Sequence, residues 1–555
     1  MKSRLNAAVF IPAMGSCHQI PRKFVRLLND RPLISYSITL ALEIAVSKDV
    51  FLLTDDEEIQ LIGSRAGVRS ILIQDRADFP RVFGRAYTID LLLKREEARK
   101  RPFDHVIWMG ASSPLVRARD IGQAVWYLDE SSYDAVFSTS EEPQRSWMRR
   151  EDRTFLPAFN EVQNAMGTDF MHKETGAFFI MKRRAISPQG YIGNLARPFL
   201  LPESHSLEIC SFNDWWVAEK ILRRKQIVFV VTGSLQIGMG HVFRALMLAQ
   251  ELTDHEIQFV CTRGSELAGK YIAEDLYPVF YQGTNESLTT AVAHLSPDLV
   301  INDILDTDAS YMKALKDRHI RVVNFEDRGS GGPVADLCIN ALYLGHSAPN
   351  VLSGYKYFWL RSEFVTAKPQ PPREKVRAVL VTFGGTDDRN MTLRLIRLLL
   401  PLALEHSFKI IAVAGPGNVH RHQTERFLEQ CPSRQRKAVK WIANGTRQIS
   451  EHMSSCDLAI CSAGRTVYEL TALRVPAVVI PVNEREEQHT FGKNAGMVFL
   501  PLYSKLSDQK LLACISELVS NRAMREKIHK KLGSFDFSQG KRNITSKIIE
   551  LLQQT

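Results

Sequence analysis

Short runs of apolar, largely β-branched residues recur along the chain, and most of them end in a small or an acidic residue. Between them, apolar residues return every three or four positions, which is the period of an amphipathic helix. Strands that alternate with helices predict an α/β fold of parallel sheets covered by helices, with the chemistry in the loops after the strands. The strand-like runs are AVFIPA, VFLLTDD, HVIWMGASS, DAVFSTS, IVFVVTG, IQFVC, DLVINDI, RVVNFED, AVLVTFGGTDD, KIIAVAGPG, DLAICSAGRT and AVVIPVNE.

Two breaks in this pattern divide the chain. An amphipathic helix ends near EKILRRKQ (219–226), and a new strand, loop and helix follow at once. The segment AKPQPPREK (367–375) contains three prolines, which neither continue a helix nor pair inside a sheet. We therefore predict three domains, with the last two forming a pair around a cleft. Their predicted bounds are 1–225, 226–368 and 376–555.

Composition narrows the class of protein. A chain of 555 residues is too long for one core, and 45% hydrophobic residues are ordinary for a globular protein. The net charge of +10 suits anionic partners, but basic residues are mixed with acids, as in KREEARKR (94–101), which argues against nucleic acid. Phosphorylated small molecules are the expected partners. Eight separate cysteines without a CxxC motif predict a cytoplasmic protein, and no apolar run reaches the roughly 20 residues of a membrane span.

The loop after the first strand, IPAMGSCHQIPRKF (11–24), combines small residues with two adjacent cations. Backbone amides of Gly15 and its neighbours can hold phosphate oxygens, and Arg22 and Lys23 can neutralise a triphosphate. The same residues also suit an ordinary surface loop.

This loop is followed by LLTDDEEI (52–59), SSPLVRARDI (112–121), TGAFFIMKR (175–183) and NDWWVAEKIL (213–222). In this order the segments resemble the CMP-N-acylneuraminate cytidylyltransferase family over about residues 1–225. The resemblance implies a Rossmann-like nucleotide-diphospho-sugar transferase domain that uses CTP, Mg²⁺ and a nonulosonic acid. It also implies a homodimer formed through an arm at 161–176. The implied CTP contacts are Gly15, Arg22, Lys23 and Asp55, and the implied metal contact is Glu208.

The chain departs from that family where the chemistry lies. The family's loop arginine is Met14 here, its lysine is His18, and its IDID metal motif is 207–210, ending in Cys210. A thiol is a poor Mg²⁺ ligand, and losing these groups removes electrostatic stabilisation that nucleotidyl transfer needs. We expect a domain that keeps the fold with weak or no transferase activity. It can instead bind a nucleotide sugar, guide assembly or take an altered substrate.

The stretch QIGMGHVFR (236–244) places two glycines between a strand and a helix. Gly238 and Gly240 allow a tight turn and a close approach to a ligand. His241 then stands at a helix N-terminus, where positive potential disfavours imidazolium and keeps the ring neutral, as a general base requires. A helix-capping or core histidine is the alternative interpretation of this residue alone.

Two further loops follow strands in the last domain. VTFGGTDDRNMT (381–392) offers Gly384 and Gly385 to a pyrophosphate, and SAGRTVYEL (462–470) offers donors. The donors are Ser462, Gly464 and Thr466. Glu469 can accept two ribose hydroxyls or simply be an acid in the first turn of a helix. Together the loops predict a cleft that takes nucleotide on one side and sugar on the other.

These motifs, with DLVIND, FED and WLRSEF, resemble the UDP-2,4-diacetamido-2,4,6-trideoxy-β-L-altropyranose hydrolase family of pseudaminic acid biosynthesis over about 227–500. That family is related to the GT-B glycosyltransferases, so the resemblance implies a two-lobed GT-B-type module. It implies that His241 activates water and that no metal is needed. The implied UDP contacts are Gly238, Gly240, Gly384, Gly385, Ser462, Gly464, Thr466, Glu469 and Gln488. Arg465 and Glu487 replace the family's serine and asparagine, and Arg465 can add a phosphate contact.

The resulting hypothesis is a fused sugar-nucleotide enzyme of nonulosonate biosynthesis. Its C-terminal module hydrolyses a UDP-linked acetamido sugar, and its N-terminal domain is related to CMP-nonulosonate synthetases. Two alternatives stay open. In a GT-B glycosyltransferase an acceptor hydroxyl replaces water, and in a scaffold the nucleotide sugar is bound without reaction.

Overall fold

The computed structural model describes residues 4–15, 19–73, 85–142, 147–149, 154–157, 171–187, 190, 191, 193, 195–234, 238–343, 348–415, 417–443 and 449–553. The chain divides into two compact units, Met1–Arg224 and Lys225–Thr555. None of the helices in these ranges is both long and apolar enough to span a membrane.

The first unit is built from strands and helices that alternate along much of its length. Its strands are β1 (Ala7–Pro12), β2 (Leu27–Leu28), β3 (Arg31–Pro32), β4 (Val50–Thr54), β5 (Arg69–Leu72), β6 (His105–Met109), β7 (Ala135–Glu142), β8 (Trp147–Arg149), β9 (Phe155–Pro157), β10 (Met171–Lys182), β11 (Ile186–Ser187), β12 (Gly190–Tyr191) and β13 (Ala196–Leu200). Its α-helices are Leu33–Ile44, Glu57–Arg65, Arg85–Arg99, Ala118–Asp129 and Phe212–Leu222.

Seven of these strands form one sheet in the order β13-β7-β10-β6-β1-β4-β5. Apolar residues of helices Leu33–Ile44 and Ala118–Asp129 pack on one face, and those of Arg85–Arg99 pack on the other. The α/β prediction is confirmed, with one difference. Strand β10 runs antiparallel to both neighbours, so the sheet is mixed. An apolar pattern cannot report strand direction, since side chains alternate between the faces in either case.

The second unit contains two parallel sheets. Its strands are β14 (Gln226–Val231), β15 (Glu256–Cys261), β16 (Val279–Tyr281), β17 (Leu299–Asp303), β18 (Arg321–Phe325), β19 (Leu337–Asn340), β20 (Val351–Ser353), β21 (Ala378–Thr382), β22 (Lys409–Val413), β23 (Val439–Ile442), β24 (Leu458–Cys461), β25 (Ala477–Val479) and β26 (Val498–Phe499). Its α-helices are Gly240–Ala249, Glu266–Glu274, Leu288–Ala293, Ala309–Lys316, Ser362–Thr366, Met391–His406, Arg421–Gln430, Ser433–Ala438, Ile449–Ser455, Thr466–Ala472, Glu484–Glu487, Phe491–Ala495, Asp508–Ser520, Arg522–Leu532 and Gly540–Gln553.

The sheet of the first lobe has the order β16-β15-β14-β17-β18-β19-β20, and that of the second lobe has the order β23-β22-β21-β24-β25-β26. In each lobe the chain builds outward from the first strand, then returns to that strand's other side. This reversal opens a crevice at the carboxyl ends of the two central strands, where α/β proteins bind ligands. The crevices lie after β14 and β17 in the first lobe and after β21 and β24 in the second.

The last helix, Gly540–Gln553, belongs to the first lobe by its packing. Its buried Ile544, Ile548 and Leu552 join the apolar core around β14 and β17. The predicted bounds placed these residues in the last domain, 376–555. Sequence order did not reveal that this helix packs on the first lobe, because the pattern of an amphipathic helix does not indicate which sheet it covers.

Arg525 ties the proline-rich linker to the second lobe. Its side chain is fully buried, and its Nη1 donates to the carbonyls of Leu518 and Val519 at 2.7 and 2.9 Å. Its Nη2 donates to the carbonyls of Arg373 and Glu374 at 2.9 and 3.0 Å. One guanidinium therefore satisfies four carbonyl groups of two separate segments.

We expect Arg525→Met to destabilise the second lobe by about 2 to 4 kcal/mol, because buried carbonyls lose their donor. Calorimetric unfolding of the full chain measures the change. Arg522→Met is the matched control, since Arg522 begins the same helix and is paired with Glu374 of the linker and with Glu526, but lies exposed. Equal unfolding temperatures for the two variants would contradict the anchoring role.

Candidate functional site

His241 lies in the crevice of the first lobe. The chain leaves β14, turns at Gly238 with φ +88°, and enters the helix Gly240–Ala249, in which His241 is the second residue. Positive φ requires glycine at the turn, whereas Gly240 is already helical. The His241 side chain is 15% exposed, so a ligand in the crevice can reach it.

Asp303 faces His241 from the neighbouring strand. It is the last residue of β17, lies beside Val231 of β14 in the sheet, and is fully buried. Its Oδ1 lies 2.6 Å from Nδ1 of His241. An ionised carboxylate only accepts hydrogen bonds, so this contact assigns the imidazole proton to Nδ1 and leaves the lone pair on Nε2. That is the tautomer of a general base.

Arg244, one turn further along the helix, secures Asp303. Its Nε donates to Oδ2 at 2.7 Å and its Nη2 to Oδ1 at 2.5 Å, while its Nη1 donates to Glu326 at 3.2 Å. Burial alone raises the pKa of Asp303, but Arg244 and His241 hold that pKa below its usual value. Asp303 therefore stays ionised at neutral pH.

The first glycine loop of the second lobe follows β21. Gly384 has φ +73°, a backbone conformation that residues other than glycine rarely adopt. Gly385 packs closely against Gly415, in the loop after β22, since a Cβ atom on Gly415 would lie 2.4 Å from the Gly385 Cα. Among the described residues, no atom outside the neighbouring positions lies within 4 Å of a Cβ atom built on Gly384 or Gly385, so the backbone is open at the position predicted for a pyrophosphate.

The second loop, residues 462–466, is held from two sides. The Ala463 amide donates to Oε2 of Glu486 at 3.2 Å, and the Ala463 carbonyl lies 2.7 Å from Nδ1 of His489. Burial lowers the pKa of His489 to about 4, so its neutral ring donates from Nδ1. Burial raises the pKa of Glu486 to about 7. Together these contacts fix the backbone between Ser462 and Gly464, where the sequence predicts phosphate contacts.

The remaining predicted nucleotide contacts lie around this loop. Thr466 begins the helix Thr466–Ala472, and Gln488 is exposed just after the helix Glu484–Glu487. Glu469 is buried and accepts from Nη2 of Arg361 at 3.1 Å, so its carboxylate is already paired with a cation.

Arg465, in the 462–466 loop of the second lobe, lies close to the turn of the first lobe that contains Gly240. Its Cδ lies 3.8 Å from the position a Cβ atom on Gly240 would take. Its Nη2 donates to the Trp359 carbonyl at 3.1 Å, and its guanidinium lies 4.6 Å from the centre of the Phe358 ring. Burial lowers the pKa of Arg465 to about 10. The guanidinium predicted to contact phosphate is thus engaged within the chain.

In the first unit, the predicted CTP residues also contact other parts of the chain. The Gly15 amide donates to Oδ1 of Asp55 at 2.6 Å. Arg22 is paired with Asp56 at 3.1 Å and with Glu58. Lys23 is 6% exposed, and its ammonium donates to Oγ of Ser112 at 2.7 Å. Both cations of the predicted triphosphate loop have partners within the unit.

The oxygen and sulfur donors near Glu208 do not fit Mg²⁺. Partial burial and the Glu208 carboxylate raise the pKa of the Cys210 thiol, which therefore stays protonated at neutral pH. Asp214 uses Oδ2 to cap its own helix, accepting from the amides of Ser211 and Cys210 at 2.7 and 2.9 Å. Within the described ranges, no three His, Cys, Asp or Glu residues are grouped to hold a metal. Of the predicted dimer arm, residues 161–170 lie outside the described residues.

Sequence reasoning missed four residues of the C-terminal site. Asp303, Arg244, Glu486 and His489 were not identified as functional candidates. A signal existed for Asp303, because DLVIND ends a strand in an acid at the edge where ligands bind. The other three act through partners distant in sequence.

We expect His489 to make the second lobe acid-sensitive. Its folded pKa of about 4 lies below the unfolded value of about 6.5, so its stabilising effect is lost as pH falls from 6.5 towards 4. At pH 5 the loss in free energy of unfolding is about 2 kcal/mol. His489→Asn keeps a donor for the Ala463 carbonyl but does not titrate, so its unfolding temperature should fall less between pH 7.5 and 5. His422→Asn, at an exposed histidine, is the control; identical pH dependence in His489→Asn and the unsubstituted chain would contradict the assignment.

Comparison with known proteins assigns a family domain to each unit. Residues 8–154 match the Cytidylyltransferase family, and residues 379–546 match the Glycosyltransferase family 28 C-terminal domain. The first match covers most of the seven-stranded sheet, and the second covers the second lobe.

Two relatives and one solved structure show how far the similarity extends. The Helicobacter pylori protein named pseudaminic acid cytidylyltransferase and UDP-2,4-diacetamido-2,4,6-trideoxy-β-L-altropyranose hydrolase is 20% identical over 86% of this chain and 88% of its own. Uncharacterized protein MJ1062 of Methanocaldococcus jannaschii is 28% identical over 47% of this chain, and the match spans 57% of that relative's length. Acinetobacter baumannii MurG matches 60% of this chain and 100% of its own at 17% identity, with a TM-score of 0.43.

The similarity to the Helicobacter pylori protein thus extends over both units of this chain. The chain matches the Cytidylyltransferase family in its first unit and the Glycosyltransferase family 28 C-terminal domain in the second lobe of its second unit, which contains two parallel sheets.

Proposed function

We propose that the second unit hydrolyses a UDP-linked acetamido sugar to free sugar and UDP, with His241 as general base. The observation that carries this proposal is the His241–Asp303 contact of 2.6 Å at the crevice of the first lobe. It leaves Nε2 of a reachable imidazole free to take a proton. The glycine loops after β21 and β24 lie at the matching crevice of the second lobe.

In the proposed reaction, water attacks the anomeric carbon while the bond between that carbon and the diphosphate oxygen breaks. Nε2 of His241 takes one proton from the water, and the electron pair of the broken bond leaves with UDP. Backbone amides of the second-lobe loops bind the departing charge. A single displacement inverts the anomeric centre. The imidazolium then returns its proton to solvent, and Asp303 stabilises it in the meantime.

We further propose that the chain acts in nonulosonate biosynthesis. Similarity over 86% of the chain to a protein named for both pseudaminic acid activities supports this assignment. Hydrolysis of a UDP-sugar and CMP activation of a finished sugar acid are compatible steps of one route. Within that route, the protonated Cys210 and the paired Arg22 favour a first unit with weak cytidylyl transfer.

The glycosyltransferase alternative uses the same base on a different nucleophile. An acceptor hydroxyl in the crevice would lose its proton to His241, as water does. Incubation with UDP-acetamido sugars, with and without glycan acceptors, separates the possibilities by product. Free sugar supports hydrolysis, a glycoconjugate supports transfer, and neither product supports a binding scaffold.

His241→Ala should lower kcat for UDP release by about 10² to 10⁴, the usual contribution of a positioned base. UDP affinity, measured by calorimetric titration, should change little because most of the predicted UDP contacts lie in the second lobe and the substitution leaves Gly238 and Gly240 unchanged. His529→Ala is the control, since that half-buried histidine belongs to the helix Arg522–Leu532 and its Nδ1 lies 2.8 Å from the Arg474 carbonyl. Unchanged turnover in His241→Ala would refute the assignment of the base.

The full chain, given CTP, Mg²⁺ and a panel of nonulosonic acids, should release little pyrophosphate. The triple variant Met14→Arg, His18→Lys, Cys210→Asp restores the charges and the carboxylate that transfer needs. We expect it to raise pyrophosphate release by at least about tenfold. The same substitutions at Met14 and His18 with Cys210→Ser provide the control. Robust release by the unsubstituted chain would overturn the expectation of weak transfer.

A further inference from the structure

His241, the proposed general base, lies in front of a row of buried charged side chains. Behind His241 stand Asp303, then Arg244, then Glu326, and all three are at least nine-tenths buried. Successive members are 2.6, 2.5 and 3.2 Å apart at their closest polar atoms. Such a chain is costly to bury unless each member is paired, so its retention beside a candidate base requires an explanation.

Both ends of Arg244 are fixed. On one side its Nε and Nη2 donate to the two oxygens of Asp303 in a bidentate pair, the geometry in which guanidinium binds carboxylate most strongly. On the other side its Nη1 reaches Glu326, which accepts from the amides of Ala341 and Leu342 at 3.1 Å each. If Arg244 turned away, the buried carboxylates of Asp303 and Glu326 would lose their cationic partner.

A carboxylate alone behind a histidine would favour the imidazolium, which cannot act as a base. Arg244 opposes that effect in two ways. It shares the charge of Asp303, and its own Nη2 lies 3.5 Å from Nδ1 of His241. Burial alone would lower the pKa of Arg244, but Asp303 raises that pKa above its usual range. The guanidinium is therefore charged at every relevant pH.

Few other charges bear on this imidazole among the described residues. Arg465, from the second lobe, comes close to Gly240, the residue before His241. Glu326 lies behind Arg244 and does not contact the ring. The described surroundings of the imidazole therefore include the carboxyl groups of Asp303 and Glu326 and the side chains of Arg244 and Arg465.

We propose that Arg244 is a positioning residue for the hydrolysis: it locks Asp303 in place and offsets its charge, so that His241 presents an unprotonated Nε2 to water. This inference rests on the proposed function and adds to it the residue that sets the working pH range of the base.

The test compares Arg244→Met, which removes the charge, with Arg244→Lys, which keeps the charge but loses the fork. For Arg244→Met we expect kcat for UDP release to fall by about 10 to 10², with KM changed less than about threefold. The acidic limb of the kcat/KM profile should move to higher pH by roughly one unit, because the nearest opposing cation is gone. Arg244→Lys should keep the wild-type limb and recover part of the rate.

Arg525→Met provides the matched control, since Arg525 is an equally buried arginine that binds only backbone carbonyls. It should lower the unfolding temperature and leave the pH profile unchanged. If Arg244→Met behaves the same way, with a wild-type acidic limb, Arg244 is merely structural and the proposal is overturned. Should Arg244→Met not fold, Arg244→Gln replaces it with the same expected limb shift, and an unshifted limb overturns the proposal equally.

A readout without turnover separates this inference from the proposed function. In the full chain labelled with ¹⁵N-histidine, His241→Ala identifies the ring signals of His241. Those signals should titrate at higher pH in Arg244→Met than in the unsubstituted protein, whether or not any UDP-sugar is hydrolysed. Coincident titrations overturn the positioning role. Shifted titrations without hydrolysis support that role and refute only the proposed reaction.

Discussion

A fully buried carboxylate, Asp303, organises the first lobe of the second unit. It ends β17 beside the strand that leads to His241, and burial forces it to find partners for both oxygens. The helix Gly240–Ala249 supplies both partners, His241 from its first turn and Arg244 one turn later. The tautomer of the imidazole and the position of Arg244 next to Glu326 both accompany the pairing of this one charge.

The second lobe holds its loops by packing as much as by polar contacts. Tyr468, in the helix after the 462–466 loop, stacks between Phe358 and Phe491 with ring centres 4.1 Å apart on each side. Its hydroxyl donates to the Ala341 carbonyl at 3.0 Å, next to the amides that bind Glu326. One aromatic side chain thus links the nucleotide loop to the charged chain behind His241, and the two lobes share a framework there.

The first unit shows the reverse relation between fold and chemistry. Its sheet and both helix layers are intact, yet its loop cations face Asp56, Glu58 and Ser112. Cys210 stands where the resemblance implies a metal carboxylate, and its raised pKa keeps it neutral. A core tolerates such changes because its stability comes from apolar burial, whereas catalysis depends on a few charged groups at one edge.

The amino-acid sequence by itself determined the α/β class, the four glycine-rich or small-residue loops and His241 as the candidate base. These features are local: a strand, a turn that needs Gly238 or Gly384, and a helix with an apolar stripe can each be recognised within about 25 residues. The tertiary structure alone decided the direction of β10, the return of the helix Gly540–Gln553 to the first lobe, and the partners of each charge. Asp303 lies 62 residues from His241, and Glu326 a further 23, so no local pattern joins them. Their meeting depends on the order of strands in the sheet, which arises from long-range packing.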